Sequence, residues 1–473
     1  MDTKNRFQKN TKFKDIETST STQVDLSCSL YKNSKYIDLI FEGTSDISKK
    51  NIDLHNLKGV IYFLDVLVDD SKIEEKVIRP ILSSIDHQEF DKKLTLSSIN
   101  KTENMEDVIN SLLDGMCVVI VDSISTAYIL DISNNTSREF EESPTEQVIA
   151  GQHIGFVESL DNNLSLIRRY IKNRDLKIEY YYCGNKTKTK LSIAYIKGLT
   201  DSLILEELDR RISSIDVESL QGLGMIQRCL DDYPKSPFPQ LLRTERSDHT
   251  VNHLLNGKIA LFIDGHPACL ILPVNFFSFF QSPESVNARW TIGAIYPFIR
   301  LLATLGVFIL PSFYISVISF NFDSVTLEIL LPILHSLQQI PLSPLMEASF
   351  MLMTLELLRE AAVRLPPVIS QTIGIVGGLI IGQAIVDAGI VSNLMVIVIA
   401  LTAILAFIGP YQEMRLTIRF ISFPIMVLSS LFGLIGLAIG MLFLISHLCK
   451  LKTFGRPYFS HDDLKILIRQ RVL

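Results

Sequence analysis

The back of the chain is written in long apolar runs. Four stretches carry no Asp, Glu, Lys or Arg over membrane-spanning lengths: Leu301–Phe322, Leu365–Val386, Ala388–Gln412 and Phe420–Cys449. A bilayer core takes about 20 mostly apolar residues per helix. Four such runs in succession argue against buried helices of a large soluble core. The pattern therefore predicts an α-helical transmembrane bundle over residues 291–449, with four firm spans. Prolines punctuate it: Pro366-Pro367 opens the second span, Gly409-Pro410 closes the third, and Pro311 is expected to kink the first. Between the first two runs, Pro344–Arg364 reads as an amphipathic helix. Met346, Phe350, Met353 and Leu357 share one face, and Glu356, Glu360 and Arg364 another. It would lie on, re-enter or span the bilayer, which raises the count to five or six membrane segments.

The front alternates short apolar strands with charged helices, and it repeats itself. VIYFLDVLVDDSKIEEKVIRPI (60–81) aligns with SIAYIKGLTDSLILEELDRRI (192–212). LLDGMCVVIVDSISTAYILDI (112–132) aligns without a gap with LLNGKIALFIDGHPACLILPV (254–274). Two related α/β subdomains follow, over 26–140 and 155–280, each expected to hold a mixed sheet flanked by helices. Asp264-Gly265 suits the turn of a closing hairpin. The linking helix within 156–173 places Phe156, Leu160, Leu164, Ile167 and Ile171 on its apolar face and Arg168-Arg169 on its solvated side. Residues 1–25, polar and rich in Ser and Thr, are expected to be disordered.

Charge divides at the same boundary. Of 45 Lys+Arg and 51 Asp+Glu, the part from Thr291 onward holds only 11 and 9, leaving a front with 34 against 42, net −8. An acidic front gives no electrostatic ground for nucleic acid. The tail 450–473 is basic, with Lys450, Lys452, Arg456, Lys465, Arg469 and Arg471. The positive-inside tendency places it in the cytoplasm. The start, MDTKNRFQKN, has no apolar signal core. Both ends inside require an even number of spans and put 323–364 outside. The six cysteines show no CxxC spacing and read as reduced core thiols.

Candidate chemistry is sparse. No Walker loop, GxGxxG, GxSxG or HExxH motif is present. Neither an enzyme nor a cofactor or metal is therefore expected. His249 and His253 have metal-ligand spacing without a third ligand and read as a surface pair. GNKTKTK (184–190) reads as a hairpin loop, and Asp387 as part of a short polar loop. SPFPQ (236–240) offers Pro237, Phe238 and Pro239 as a rigid, exposed docking loop. Gly374, Gly378 and Gly382 form one small-residue stripe, and Gly433, Gly436 and Gly440, with Ser429, another. Such stripes let helices approach closely in lipid, first of all within one chain. Pro344–Arg364 is the best candidate to line a polar path, with Thr354, Glu356, Glu360 and Arg364 as lining groups, since charges at membrane depth turn to polar interiors. Gln383 marks the next candidate.

Several strings carry a resemblance: SPTEQVIAGQHIGFVESLDNNLSLIRR, KTKLSIAYIKGLTD, SPFPQLLRTER, LLNGKIALFIDG, PVNFFSFFQSPE, LELLREAAVRLP, QTIGIVGGLIIGQAIVDAGIVSNLMVIVIALTAI and LKTFGRPYF. Over about residues 142–460 the chain resembles the A subunits of bacterial spore germinant receptors (GerA type). The resemblance implies the spore inner membrane and a role in nutrient-triggered germination. It implies a transporter-like B subunit that holds the nutrient and a lipoprotein C subunit as partners. It also implies homo-oligomerisation into the ion path. A non-conducting scaffold coupling the B subunit to a separate channel is the alternative.

Overall fold

The computed structural model describes residues 24–54, 57–79, 99–132, 146, 154–220, 222–282, 289–320, 340–366, 378–380, 382–409 and 411–460. Nearly all of the segment 1–25 therefore lies outside the described residues, as do Gly374 and the C-terminal 461–473.

Two five-stranded sheets form the front. The elements of the first are α1 (Leu30–Ile40), β1 (Ile47–Leu54), β2 (Leu57–Leu64), α2 (Asp70–Ile73, continuing as a π-helix to Ile78), β3 (Ile99–Thr102), α3 (Met105–Leu113), β4 (Cys117–Val121) and β5 (Ala127–Leu130). The second has α4 (Leu160–Tyr170), β6 (Leu176–Cys183), β7 (Thr189–Ile196), α5 (Ser202–Ser213), α6 (Leu223–Leu230), β8 (Leu242–Thr244), α7 (Ser247–Leu255), β9 (Ile259–Ile263) and β10 (Cys269–Leu272). Their strand orders correspond: β1-β2-β4-β5-β3 and β6-β7-β9-β10-β8. Every pairing is antiparallel, so the expected mixed sheets are corrected. An apolar strand pattern carries no strand direction, and short connections such as the Cys183–Thr189 hairpin enforce the antiparallel choice.

The correspondence reaches single hydrogen bonds. Asn33 ties its side chain to the backbone of Ser27, donating at 2.7 Å and accepting at 3.0 Å; Asn163 does the same with Val157 at 2.6 and 2.8 Å. Asp122 accepts from the Leu30 amide and Asp264 from the Leu160 amide, each fixing the start of a helix. Gly257 takes φ +76°, and a Cβ there would lie 2.6 Å from the Leu199 carbonyl oxygen, so only glycine fits that turn.

The two sheets meet beside their edge strands β1 and β6. The Ser45 amide donates to the Ile178 carbonyl at 2.7 Å, and Lys177 reaches the Ile40 carbonyl at 3.1 Å. Arg168 lies in this seam, 1% exposed, and grips Asp46 with Nε and Nη2 at 2.8 and 2.9 Å. The expectation that Arg168 is solvated is thereby corrected. Its own helix offers no partner, and a carboxylate more than a hundred residues earlier supplies one.

A 3-10 turn, Phe276–Phe280, leads to the bundle: α8 (Trp290–Phe320), α9 (Pro344–Arg364), α10 (Gly378–Asp387), α11 (Asn393–Phe407) and α12 (Gln412–Lys450). Two of these, Ile295–Phe320 and Gln412–Lys450, are long and apolar enough to cross a membrane. Among the described residues two such helices stand where four spans were expected. The second expected span lies mostly outside the described residues. The third is a 15-residue helix, about 22 Å at 1.5 Å per residue. The fourth is not one rod.

α12 reverses at Gly433, whose φ of +62° and ψ of −143° leave the helical region. A Cβ on Gly436 would collide with the Leu428 carbonyl, and one on Gly440 would lie 3.2 Å from Ile425. In a straight helix those partners would be far apart. Residues 412–432 and 434–450 are therefore two limbs of a tight hairpin, roughly 31 and 25 Å long. Ser429, Gly433, Gly436 and Gly440 are buried where the limbs face each other or α8. Both limbs return to one loop: Thr417 donates to the Pro237 carbonyl at 2.6 Å, and His447 bonds Ser236 at 3.0 Å.

α9 runs the length of the bundle. Near its start Glu347 accepts from the Ser392 amide at 2.9 Å; near its end Glu356 lies 3.5 Å from Arg419. Residues 344–364 thereby pack along the bundle between the start of α11 and the first limb of α12. Beyond the hairpin a short ribbon, β11 (Lys452–Thr453) and β12 (Arg456–Pro457), packs back on the second sheet. Phe454 donates to Asp232 at 2.7 Å, and Arg456 pairs with Asp201 at 2.9 Å. The start of the tail and the two sheets thus share one side of the bundle.

Candidate functional site

The site has two parts: the uncovered face of α9 and the junction joining the bundle to the second sheet. On α9 the buried positions are Glu347, Ala348 and Met351. The apolar stripe Met346, Phe350, Met353 and Leu357 points outward. An apolar face turned away from its own bundle suits lipid or a neighbouring copy. Glu360 and Arg364, expected on another face, continue this outward one, since they follow Leu357 by three and seven residues, and they pair with each other at 2.6 Å. Thr354 is half-buried and bonds back to the Phe350 carbonyl at 2.9 Å. Glu356 bridges Arg359 of its own helix and Arg419 of α12. On α10, Gln383 donates to Asp387 at 2.9 Å. Gly378 and Gly382 face open space, with nothing within 4 Å of a Cβ built there. The two glycine stripes therefore differ: one packs within the chain, and the described members of the other do not.

At the junction, Pro237 of SPFPQ is exposed as expected, but Phe238 and Pro239 are buried. Phe238 is 3% exposed and packs against Phe276 and His447. The Pro239 carbonyl accepts from Tyr458 at 2.8 Å. Two prolines fix the loop so that its carbonyls serve the hairpin and the tail of the same chain. His249 and His253 are likewise not a surface pair. Both are buried, because α7 packs its inner face under the first turn of α12, where Tyr411 lies 3.2 Å from His249. Burial holds His249 neutral, with its pKa lowered to about 3, and lowers His253 as well. Beside them a cavity of about 220 Å³ is lined by Glu146, Arg243, Glu245, Phe279, Tyr411 and Glu413. Burial raises Glu146 to about 7 despite its hydrogen bonds from Thr244 and the Glu245 amide. Among the described residues no three His, Cys, Asp or Glu side chains are grouped to hold a metal. The cysteines divide, with Cys117, Cys183 and Cys269 buried and Cys28, Cys229 and Cys449 exposed, so not all are core thiols. Sequence reasoning missed Tyr411, Glu146 and Arg419; their signal is only spatial.

A duplicated antiparallel front carrying a helical bundle is the setting in which the comparison with known proteins falls. Residues 35–463 match the family described as Bacillus/Clostridium GerA spore germination protein. The chain belongs to the GerA family. Spore germination protein KA of Bacillus subtilis is 34% identical over 446 residues, covering 92% of this chain and 82% of that protein. The uncharacterized membrane protein YfkQ of the same organism is 36% identical, covering 93% and 88%. Among solved structures, the N-terminal domain of the A subunit of the Bacillus megaterium spore germinant receptor GerK3 matches at 26% identity with a TM-score of 0.43, covering 54% of this chain and 98% of that one. In this GerA chain the described parts of the candidate path and of the junction lie within the matched span.

Proposed function

We propose that this GerA-family chain is the A subunit of a nutrient-responsive germinant receptor in the spore inner membrane. Several copies surround an axis and form the path by which ions leave the spore core. The role is one of assembly and conduction rather than catalysis. One observation carries the reading: α9 runs the length of the bundle yet leaves uncovered a face that is apolar for most of its length and charged at one end. Copies brought together on that face would form an apolar constriction with a mouth of carboxylates at Glu360, the arrangement by which cation pores gate and select. The open faces of Gly378 and Gly382 would admit a neighbouring helix closely. The sheets and tail lie on the core side, where they would meet the transporter-like B subunit; the lipoprotein C subunit would complete the receptor.

A second reading, a non-conducting scaffold between the B subunit and a separate channel, is favoured by the ion pairs that turn Glu356 and Glu360 toward arginines of the same chain. Spores carrying Glu360→Gln at normal protein level separate the two. Slower or altered cation release during nutrient germination supports the path, and release indistinguishable from the parent supports the scaffold.

A further inference from the structure

The bundle holds a second cavity, of about 550 Å³, enclosed by α8, α9, α11 and the first limb of α12. We propose that it is a binding site for one acyl chain of an anionic phospholipid, with the headgroup at Arg359 and Arg419. Its size falls within the range of roughly 300–1,000 Å³ typical of small-molecule sites.

The walls are apolar in practice as well as composition. Ser349, Thr402 and Ser422 are the hydroxyls that reach it, and each donates to a carbonyl of its own helix, at 2.7 Å in all three cases. Their hydrogens are committed within the protein, and the rest of the wall away from the charged end is apolar, which suits a hydrocarbon chain. The rim residues Phe407, Phe420 and Phe423 are exposed and apolar. The cavity therefore opens sideways on a lipid-compatible surface, and its guest enters from the bilayer.

One end is charged. Arg359 and Arg419 there share the single carboxylate of Glu356. Among the described residues two cations against one anion leave one positive charge, the complement of a headgroup with one negative charge. Their position fits the bilayer boundary: the α12 sequence holds Glu413, Arg415 and Arg419 before Phe420 and then no charge until Lys450. Arginines at such a boundary keep their heads at the interface while their stems lie along apolar surface. The site requires the bilayer and not the ion path, so it stands or falls separately from the conducting role.

The test uses the full chain in nanodiscs and a phosphatidylglycerol with a photoreactive acyl chain, set against the phosphatidylcholine with the same chain. Phosphatidylglycerol should label the α9 and first-limb peptides bordering the cavity about fivefold more than phosphatidylcholine, the factor expected for one added cation near an anionic headgroup. Ala403→Trp, which obstructs the cavity, should sharply reduce that labelling. Arg419→Gln, the milder change, should equalise the two lipids while the protein stays monodisperse. Equal labelling by both lipids, unchanged by Ala403→Trp, would mean bulk lipid only and overturn the site. Background labelling by both lipids, together with cross-linking of Phe423→Cys between copies, would mean that a second copy fills the cavity, and would overturn it equally.

Discussion

Arg168 and Asp46 form a two-pronged ion pair in the seam between the two sheets, both side chains almost without solvent contact. Arg168 also donates to Thr44 at 3.1 Å, and Thr44 in turn accepts from the Ile178 amide at 3.1 Å, so one guanidinium organises the whole seam. Removing one partner of such a pair strands a buried charge and costs about 3–5 kcal/mol. Asp46→Asn and Arg168→Met should each lower the unfolding temperature of the detergent-solubilised chain by several degrees. The double apolar replacement Asp46→Leu with Arg168→Met should recover part of the loss. Equal damage from the double and single variants would show that the pair holds no special place in the seam.

The two glycine stripes should respond in opposite ways. Gly436→Ala places a methyl against the Leu428 carbonyl and should prevent the hairpin from closing, seen as loss of folded protein. A Cβ at Gly378 has nothing within 4 Å among the described residues, so Gly378→Leu should leave the monomer's unfolding unchanged while reducing assembly, measured by cross-linking in membranes. Normal assembly of Gly378→Leu would assign that face to lipid.

Acid should loosen the junction. His249 and His253 are buried neutral, and burial is the leading cause of both lowered values. A folded-state pKa below the unfolded one means that the unfolded chain binds more protons. Stability is therefore full above the unfolded value of 6.5 and falls as pH drops below it. Each histidine contributes up to about 1.4 kcal/mol per pH unit in that window. Unfolding temperature should fall between pH 6.5 and 5, and the slope should be shallower in His249→Asn and His253→Asn. An unaltered slope would place the pH dependence elsewhere.

The tail's contacts with the second sheet put both on one side of the bundle, and the basic tail predicts that this side is cytoplasmic. Single cysteines introduced at Tyr31 and Arg456, in a chain without its natural cysteines, should both resist an impermeant thiol reagent in intact cells and react after permeabilisation. Labelling of either from outside would contradict the cytoplasmic assignment.

The duplication was legible because both copies keep the same apolar strings around the same turn residues, Asp122 with Asp264 and Gly115 with Gly257. Strand direction was not legible, since alternation of apolar residues is the same in either sense. The reversal at Gly433 was hidden for a similar reason. A stripe of small residues looks the same in a straight helix packed on a neighbour and in two limbs folded on each other; only the backbone at Gly433 distinguishes them. Burial of Arg168, Phe238 and the histidine pair depends on partners distant in sequence: Asp46, His447 and Tyr411. Local patterning marks which residues can be solvated, and tertiary contacts override it where a charge or ring finds a complement.

The central claim is that this chain itself forms an ion path with a carboxylate mouth. Cation flux from liposomes that contain the purified chain and no other subunit tests it most directly. The account predicts a flux above that of empty liposomes, favouring cations over anions, and reduced or altered in selectivity by Glu356→Gln and Glu360→Gln variants that still assemble. Liposomes carrying assembled protein that leak no faster than empty ones, or a flux that neither variant alters, would contradict it.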